Sequence, residues 1–181
     1  MNSPTADVSV RIAWADDATA IAALQVVAWP ALYDGLVPPD ALPQDAEALA
    51  PVWRQALSRP ADARNRVLVA LERNRVVGFA LTSPAADPDC DPIADGEIAE
   101  ITLHPEERRK GHGSRLLQAA VDTLVADRFT RAVTWVSARD DALRTFLVEA
   151  GWAPDGAHRE LALDGAETSG LKQVRLHTAI G

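Results

Sequence analysis

Arg108-Arg109-Lys110-Gly111-His112-Gly113-Ser114 puts three cations, two glycines and a hydroxyl into seven residues. They follow directly on the apolar stretch 98–103, which His104-Pro105 brings to an end, because proline has no N–H to extend a ladder. Downstream, Leu116, Leu117, Ala120, Val121, Leu124 and Val125 recur at helical spacing. The unit is therefore strand, glycine-bearing loop, helix. A helix N-terminus carries about half a positive charge and unpaired N–H groups. Glycines let the backbone come close to an anion, and Arg108, Arg109 and Lys110 add charge. The chemistry this suits is the binding of a phosphate or pyrophosphate.

Two common phosphate loops do not match. A P-loop requires its lysine after the glycines, and Lys110 precedes them. A dinucleotide fingerprint requires a third glycine where Leu116 stands. No His, Asp and Glu set has metal-ligand spacing, and no local motif suggests a Ser-His-Asp arrangement. Asp87, Asp89 and Asp91 imitate the start of a calcium loop, but Pro92 stands where glycine must turn the chain. The stretch 83–97 accordingly reads as a solvated acidic surface loop.

The elements that must position the loop follow from periodicity. A strand starts near Val8, where Val8, Val10 and Ile12 alternate with polar residues. Asp16 or Asp17 caps a helix with the buried stripe Ile21, Leu24, Gln25 and Ala28, and Pro30 falls near its end. Residues 29–39 read as an irregular apolar connection. A second helix over 45–58 turns Leu49, Val52, Trp53, Ala56 and Leu57 inward, and tolerates Pro51 only near its first turn. Strands at 66–71 and 76–81 form a hairpin. After the loop and its helix come a strand at 132–136, a helix capped by Asp140 or Asp141 with Leu143, Phe146, Leu147 and Ala150 inward, and Gly151 to end it. Two last strands, near 159–163 and 173–178, enclose Asp164-Gly165 and Ser169-Gly170.

With 181 residues the chain makes one domain over 8–178, preceded by a tail at 1–7. Its formal net charge of −8 argues against nucleic acid as a partner. One cysteine, Cys90, excludes an internal disulfide. No apolar run approaches the roughly 20 residues that span a bilayer. The first residues carry no basic-plus-apolar leader, so the expected location is the cytoplasm and no membrane partner is expected.

Leu103-His104-Pro105-Glu106-Glu107-Arg108-Arg109-Lys110-Gly111-His112-Gly113 resembles the acetyl-CoA loop of the GNAT N-acetyltransferases. The order β, α, α, β, β, β, α, β, α, β, β resembles that family's order as well, and so covers most of the chain. Trp29-x-x-x-Tyr33-x-Gly35-x-x-Pro38 and Gly151-Trp152-x-x-Asp155-Gly156 are similar to segments of one bacterial group within it. The resemblance implies an α/β (α+β) fold: a mixed, twisted central sheet of seven strands with helices on both faces. It implies transfer of an acetyl group from acetyl-CoA, with no metal, to a primary amine of a small molecule or peptide. Homodimers pairing through late strands are a further expectation.

Site residues carry over from the resemblance one by one. The backbone N–H groups of Arg109, Lys110, Gly111, His112, Gly113 and Ser114 would hold the CoA phosphates, with Arg108 adding charge and the His112 side chain kept outward. Leu103 would bond the pantetheine arm and offer its N–H to the oxyanion. A lysine-like amine has a pKa of about 10.4 and needs a base; Glu100, on this strand, is the candidate, while Glu97 and His104 read as surface residues. On the helix after the fifth strand, Asp140 stands where the family's asparagine touches CoA, and Leu147 stands where its tyrosine protonates the leaving thiolate. Tyr33, the chain's one tyrosine, is the candidate to line the acceptor side and substitute; Trp29 reads as packing. The alternatives are a CoA-binding module with little catalysis, transfer of another acyl group, or a nucleotide- or phosphate-binding regulatory domain. Asp87, Asp89, Asp91, Asp95 and Glu97 hint at a cationic acceptor.

Overall fold

Alternation along the second strand, Arg66–Glu72, sorts the core into two layers. Leu68 and Ala70 join one buried cluster, with Ile98, Leu116, Leu117 and Leu124. Val69 and Leu71 join the other, with Ile21, Leu24 and Phe79. The computed structural model describes residues 7–162 and 170–181. Its elements run β1 (Val8–Ile12), α1 (Ala18–Leu32), α2 (Ala46–Ser58), β2 (Arg66–Glu72), β3 (Arg75–Pro84), β4 (Asp95–Leu103), α3 (His112–Ala126), β5 (Arg131–Ser137), α4 (Asp141–Glu149), β6 (Ala153–Leu161) and β7 (Leu171–Ala179). The order is the expected one. They build a seven-stranded mixed sheet, β1-β2-β3-β4-β5-β7-β6, with α1 on one face and α3 on the other.

Two features of β4 matter for function. It pairs with β5 in parallel over only three positions, Asp95–Arg131, Gly96–Ala132 and Glu97–Val133. Beyond them Thr134 Oγ1 donates to the Ile98 carbonyl at 2.7 Å, and the strands separate. The second feature is a bulge. On β3, Leu81 faces Glu100 and Thr82 faces Ile98, so Ala99 is the extra residue. The bulge shifts the side-chain alternation by one. Ile98 and Ile101 both reach the α3 layer, and Glu97, Glu100 and Thr102 share the α1 face.

Several boundaries differ from the sequence reading. α1 continues through Trp29, Pro30 and Leu32, so the irregular connection is shorter and contains a 3-10 turn at Pro39–Ala41. Asp17 does not cap α1 through its side chain; it pairs with Arg11 and accepts from the Trp14 N–H. Pro51 stands in the second turn of α2, with the ring exposed, and Asp45 caps that helix from the Glu47 and Ala48 N–H groups. Val52 and Ala56 are exposed; Ala50, Trp53 and Leu57 make the inward stripe. Ala150 is likewise exposed. β6 starts at Ala153, earlier than expected, because Gly156 at φ +86° breaks the register and lets pairing resume at His158. Leu163, Asp164-Gly165 and Ser169 lie outside the described residues, as does most of the expected tail.

The acidic loop is also different. It runs only between β3 and β4, and although most of its residues are exposed, its aspartates are not free in solvent. Arg175, 5% exposed, donates to Asp87, Asp89 and Asp155 at 3.2, 2.6 and 2.7 Å. Trp135 Nε1 donates to Asp87 at 2.9 Å, and Arg131 pairs with Asp95 and Asp155. The loop is thereby fastened to β5 and β7.

Candidate active site

After β4, His104 opens a 3-10 turn, Pro105–Glu107, with its Nδ1 accepting the Glu106 N–H at 3.2 Å. Arg109 at φ +62° and Gly111 at φ +84° complete the reversal, and α3 begins at His112, earlier in the loop than its apolar spacing indicates. The N–H groups of His112, Gly113 and Ser114 are thus first-turn donors without intrahelical acceptors, aligned with the helix dipole. Arg108 and Arg109 are exposed beside them. Lys110 is already engaged: its Nζ donates to Glu107 at 2.8 Å, and Arg75 pairs with the same carboxylate. Lys110 and Arg75 hold the Glu107 carboxyl down at about 2. The His112 side chain corrects the sequence reading. It does not point outward; it is 2% exposed, and its Nε2 has no hydrogen-bond partner among the described residues.

Leu103 ends β4 opposite Gly78. The next residue, His104, donates its N–H to the Val77 carbonyl at 2.8 Å. Backbone groups alternate in direction along a strand, so the N–H of Leu103 aims at the opposite edge. That is the edge from which β5 has separated. A cavity of about 40 Å³ lies in the gap, bordered by Ile98, Ile101, Leu117, Trp135 and Leu147. Leu147 presents only carbon there. Asp140 caps α4, its Oδ1 accepting the Leu143 N–H at 2.9 Å.

On the α1 face of the same strand, Glu100 is half-buried. Its Oε1 accepts from Trp29 Nε1 at 2.8 Å and from Thr102 Oγ1 at 2.7 Å. Burial pushes the carboxyl above the usual carboxylate range, and the two hydrogen bonds oppose the shift only in part. Tyr33 packs edge-on against Trp29, with ring centroids 5.4 Å apart. Burial and the nearby Glu100 raise its phenol, so it keeps its proton at neutral pH. Glu97 is half-buried on this face too, and burial together with Asp87 pushes it up. A hollow of about 480 Å³ opens farther out, between Gly35 and Leu36 after α1, Ser137 and Arg139 at the end of β5, and Glu160 and Lys172 on β6 and β7.

Residues 29–152 match the acetyltransferase (GNAT) family. The chain belongs to that family. As an acetyltransferase it is similar, over part of its length, to the mycothiol acetyltransferases of Mycolicibacterium gilvum, 40% identical over 80 residues, and Thermomonospora curvata, 37% identical over 73. Those stretches cover 42% and 40% of this chain but only 24% and 23% of the relatives. Its fold is similar over nearly the whole length to solved structures of low identity. yncA of Salmonella typhimurium, solved with its cofactor acetyl-CoA, has a TM-score of 0.71 at 17% identity, with 97% of this chain and 95% of that one covered. The PaiA N-acetyltransferase of Thermoplasma acidophilum, in complex with coenzyme A, has a TM-score of 0.70 at 15% identity, covering 96% and 99%.

The loop, Glu100, Leu103 and Tyr33 are the candidates legible in the sequence. Trp29 and Thr102, the donors that hold Glu100, are not among them. Thr102 is two residues away on the same strand and could have been found from alternation; Trp29 is 71 residues away and carries no local signal.

Proposed function

We propose that this acetyltransferase moves the acetyl group of acetyl-CoA to a primary amine of a small molecule or peptide, by direct attack of the amine on the thioester. The observation that carries the reading is Glu100: a carboxylate raised by burial, fixed by Trp29 and Thr102, on the strand that parts from β5. The first-turn N–H groups of α3, with Arg108 and Arg109, bind the CoA phosphates. The pantetheine arm enters the gap between β4 and β5 and bonds the free backbone of Leu103. Glu100 accepts the amine proton, through water, as nitrogen attacks the carbonyl carbon. The Leu103 N–H donates to the oxyanion that forms. The C–S bond then breaks and CoA leaves as thiolate. Leu147 has no proton to give; a thiol with a pKa near 8.5 leaves without one at neutral pH at modest cost, and Tyr33, its phenol protonated and under the influence of Glu100, is the candidate to supply one. Asp140 borders the CoA side, with one carboxylate oxygen occupied by its cap.

The acceptor occupies the outer hollow, whose walls are the turn after α1 and the ends of β6 and β7. The partial relatives are named for mycothiol, which supports a small-molecule acceptor. Pairing of two copies along β6, the edge of the sheet, belongs to the same reading. The test is thermal melting with acetyl-CoA, CoA and ATP, followed by an amine panel. A ligand at a hundred times its Kd adds about 2.7 kcal/mol. A shift with both CoA forms and none with ATP, then amine-dependent CoA release, is the expected result. No shift with either CoA form overturns the reading.

A further inference from the structure

Three groups meet beneath the anion loop. A carboxylate oxygen of Glu72, one of Glu107 and a ring nitrogen of His112 all lie within 4.8 Å of one another. They come from three separate places: the end of β2, the 3-10 turn, and the first residue of α3. Glu107 and His112 are 5% and 2% exposed. Buried polar atoms are normally hydrogen-bonded, yet the Nε2 of His112 has no partner among the described residues. A buried imidazole thus sits beside two carboxylates, the donor types of a nitrogen-and-oxygen metal site.

We propose that Glu72, Glu107 and His112 form a binding site for a divalent transition ion of the zinc class. One imidazole and two carboxylates suit zinc, which accepts nitrogen and oxygen ligands at about 2.0–2.2 Å. Closing around an ion shortens the present separations by roughly an ångström, within the reach of two glutamate side chains. The cations now facing Glu107, Arg75 and Lys110, are its competitors. Both have side chains more than half exposed and can turn into water. A divalent ion bound by three ligands replaces both charges at once. Bound there, the ion ties the β2–β3 hairpin to the start of α3 and leaves Lys110 free beside the helix N-terminus.

The other group with ligand-like spacing, Asp87, Asp89 and Cys90, is occupied by the buried guanidinium of Arg175, which makes Cys90 the natural control. The experiment titrates the full chain with zinc chloride against a chromophoric chelator and by calorimetry, with magnesium chloride in parallel, and follows melting. One zinc per chain is expected, and magnesium, which keeps its waters and wants oxygen ligands, should not compete. At a hundred times its Kd zinc should raise Tm by roughly 5–10 °C. His112→Gln and Glu72→Gln should each weaken zinc binding by roughly a hundredfold, since loss of an outer-shell partner alone costs 10–100-fold; Cys90→Ser should leave it unchanged. Glu72 lies near the surface hairpin, so its variant keeps the test valid if His112→Gln does not fold. Absence of stoichiometric zinc, equal binding of magnesium, or loss on Cys90→Ser with retention in Glu72→Gln would overturn the proposal. None of these readouts depends on CoA, so this proposal and the catalytic one fail separately.

Discussion

Replacing Glu100 by glutamine separates base chemistry from architecture. Both hydrogen bonds that fix the side chain end on Oε1, from Trp29 at 2.8 Å and Thr102 at 2.7 Å. An amide oxygen accepts both, so the group stays in place and loses only its ability to take a proton. General base catalysis is worth about 10²–10⁴-fold, which is roughly 3–5 kcal/mol of barrier at 1.36 kcal/mol per factor of ten. Because burial raises the Glu100 pKa, wild-type kcat/KM should rise with pH through a limb lying above the ordinary carboxylate range, and Glu100→Gln should lose that limb. Stability should move the opposite way. A carboxyl with a raised folded pKa favours folding at low pH, and that contribution disappears as pH rises through the folded value. At pH 7 the variant, which buries no charge, should melt at or above the wild-type temperature. The assay is thiol release from acetyl-CoA across pH, with melting curves alongside and Glu97→Gln as the comparison. Wild-type turnover with an unchanged pH limb in Glu100→Gln, or transfer of the whole loss to Glu97→Gln, would refute the assignment.

Trp29→Phe removes one donor that keeps Glu100 ionised, so the pH limb should move upward and kcat fall by about tenfold, read in the same assay, as expected for loss of a hydrogen bond to a charged group. Gly111→Ala places a Cβ at φ +84°, 3.1 Å from Arg115, and should cost about 1–2 kcal/mol in denaturant unfolding while weakening CoA binding in a melting-shift titration. Arg175→Ala leaves Asp87, Asp89 and Asp155 without their shared partner and should destabilise by about 3–5 kcal/mol. The hydrogen bond from Arg175 holds Asp89 below its usual value, a stabilisation present at neutral pH and lost as pH falls through the folded value. Chemical denaturation from pH 7 to pH 3 should therefore show a steeper decline in wild type than in the variant.

What could be read directly from the chain is local. Strand, loop and helix around Gly111 follow from apolar spacing, from the proline that stops a ladder, and from glycines that permit close approach, all within about twenty residues. The two-residue turn of the β2–β3 hairpin is local too: Arg73 and Asn74 both take positive φ. Which distant groups share a space depends on the assembled fold. The bulge at Ala99 arises from pairing with β3, and it alone brings Glu97 and Glu100 to the α1 face. Trp29 finds Glu100 because α1 runs a turn longer than Pro30 suggests, its ring exposed where the missing bond faces water. The aspartates of the 85–94 loop look unpaired as a string of residues; Arg175, 86 positions beyond Asp89, is the buried partner of Asp87 and Asp89. His112 reads as a spacer between glycines, yet a helix starting one residue after Gly111 turns its ring into the interior. Periodicity fixes which face of an element is apolar; it carries no information about which polar group on another element will meet it.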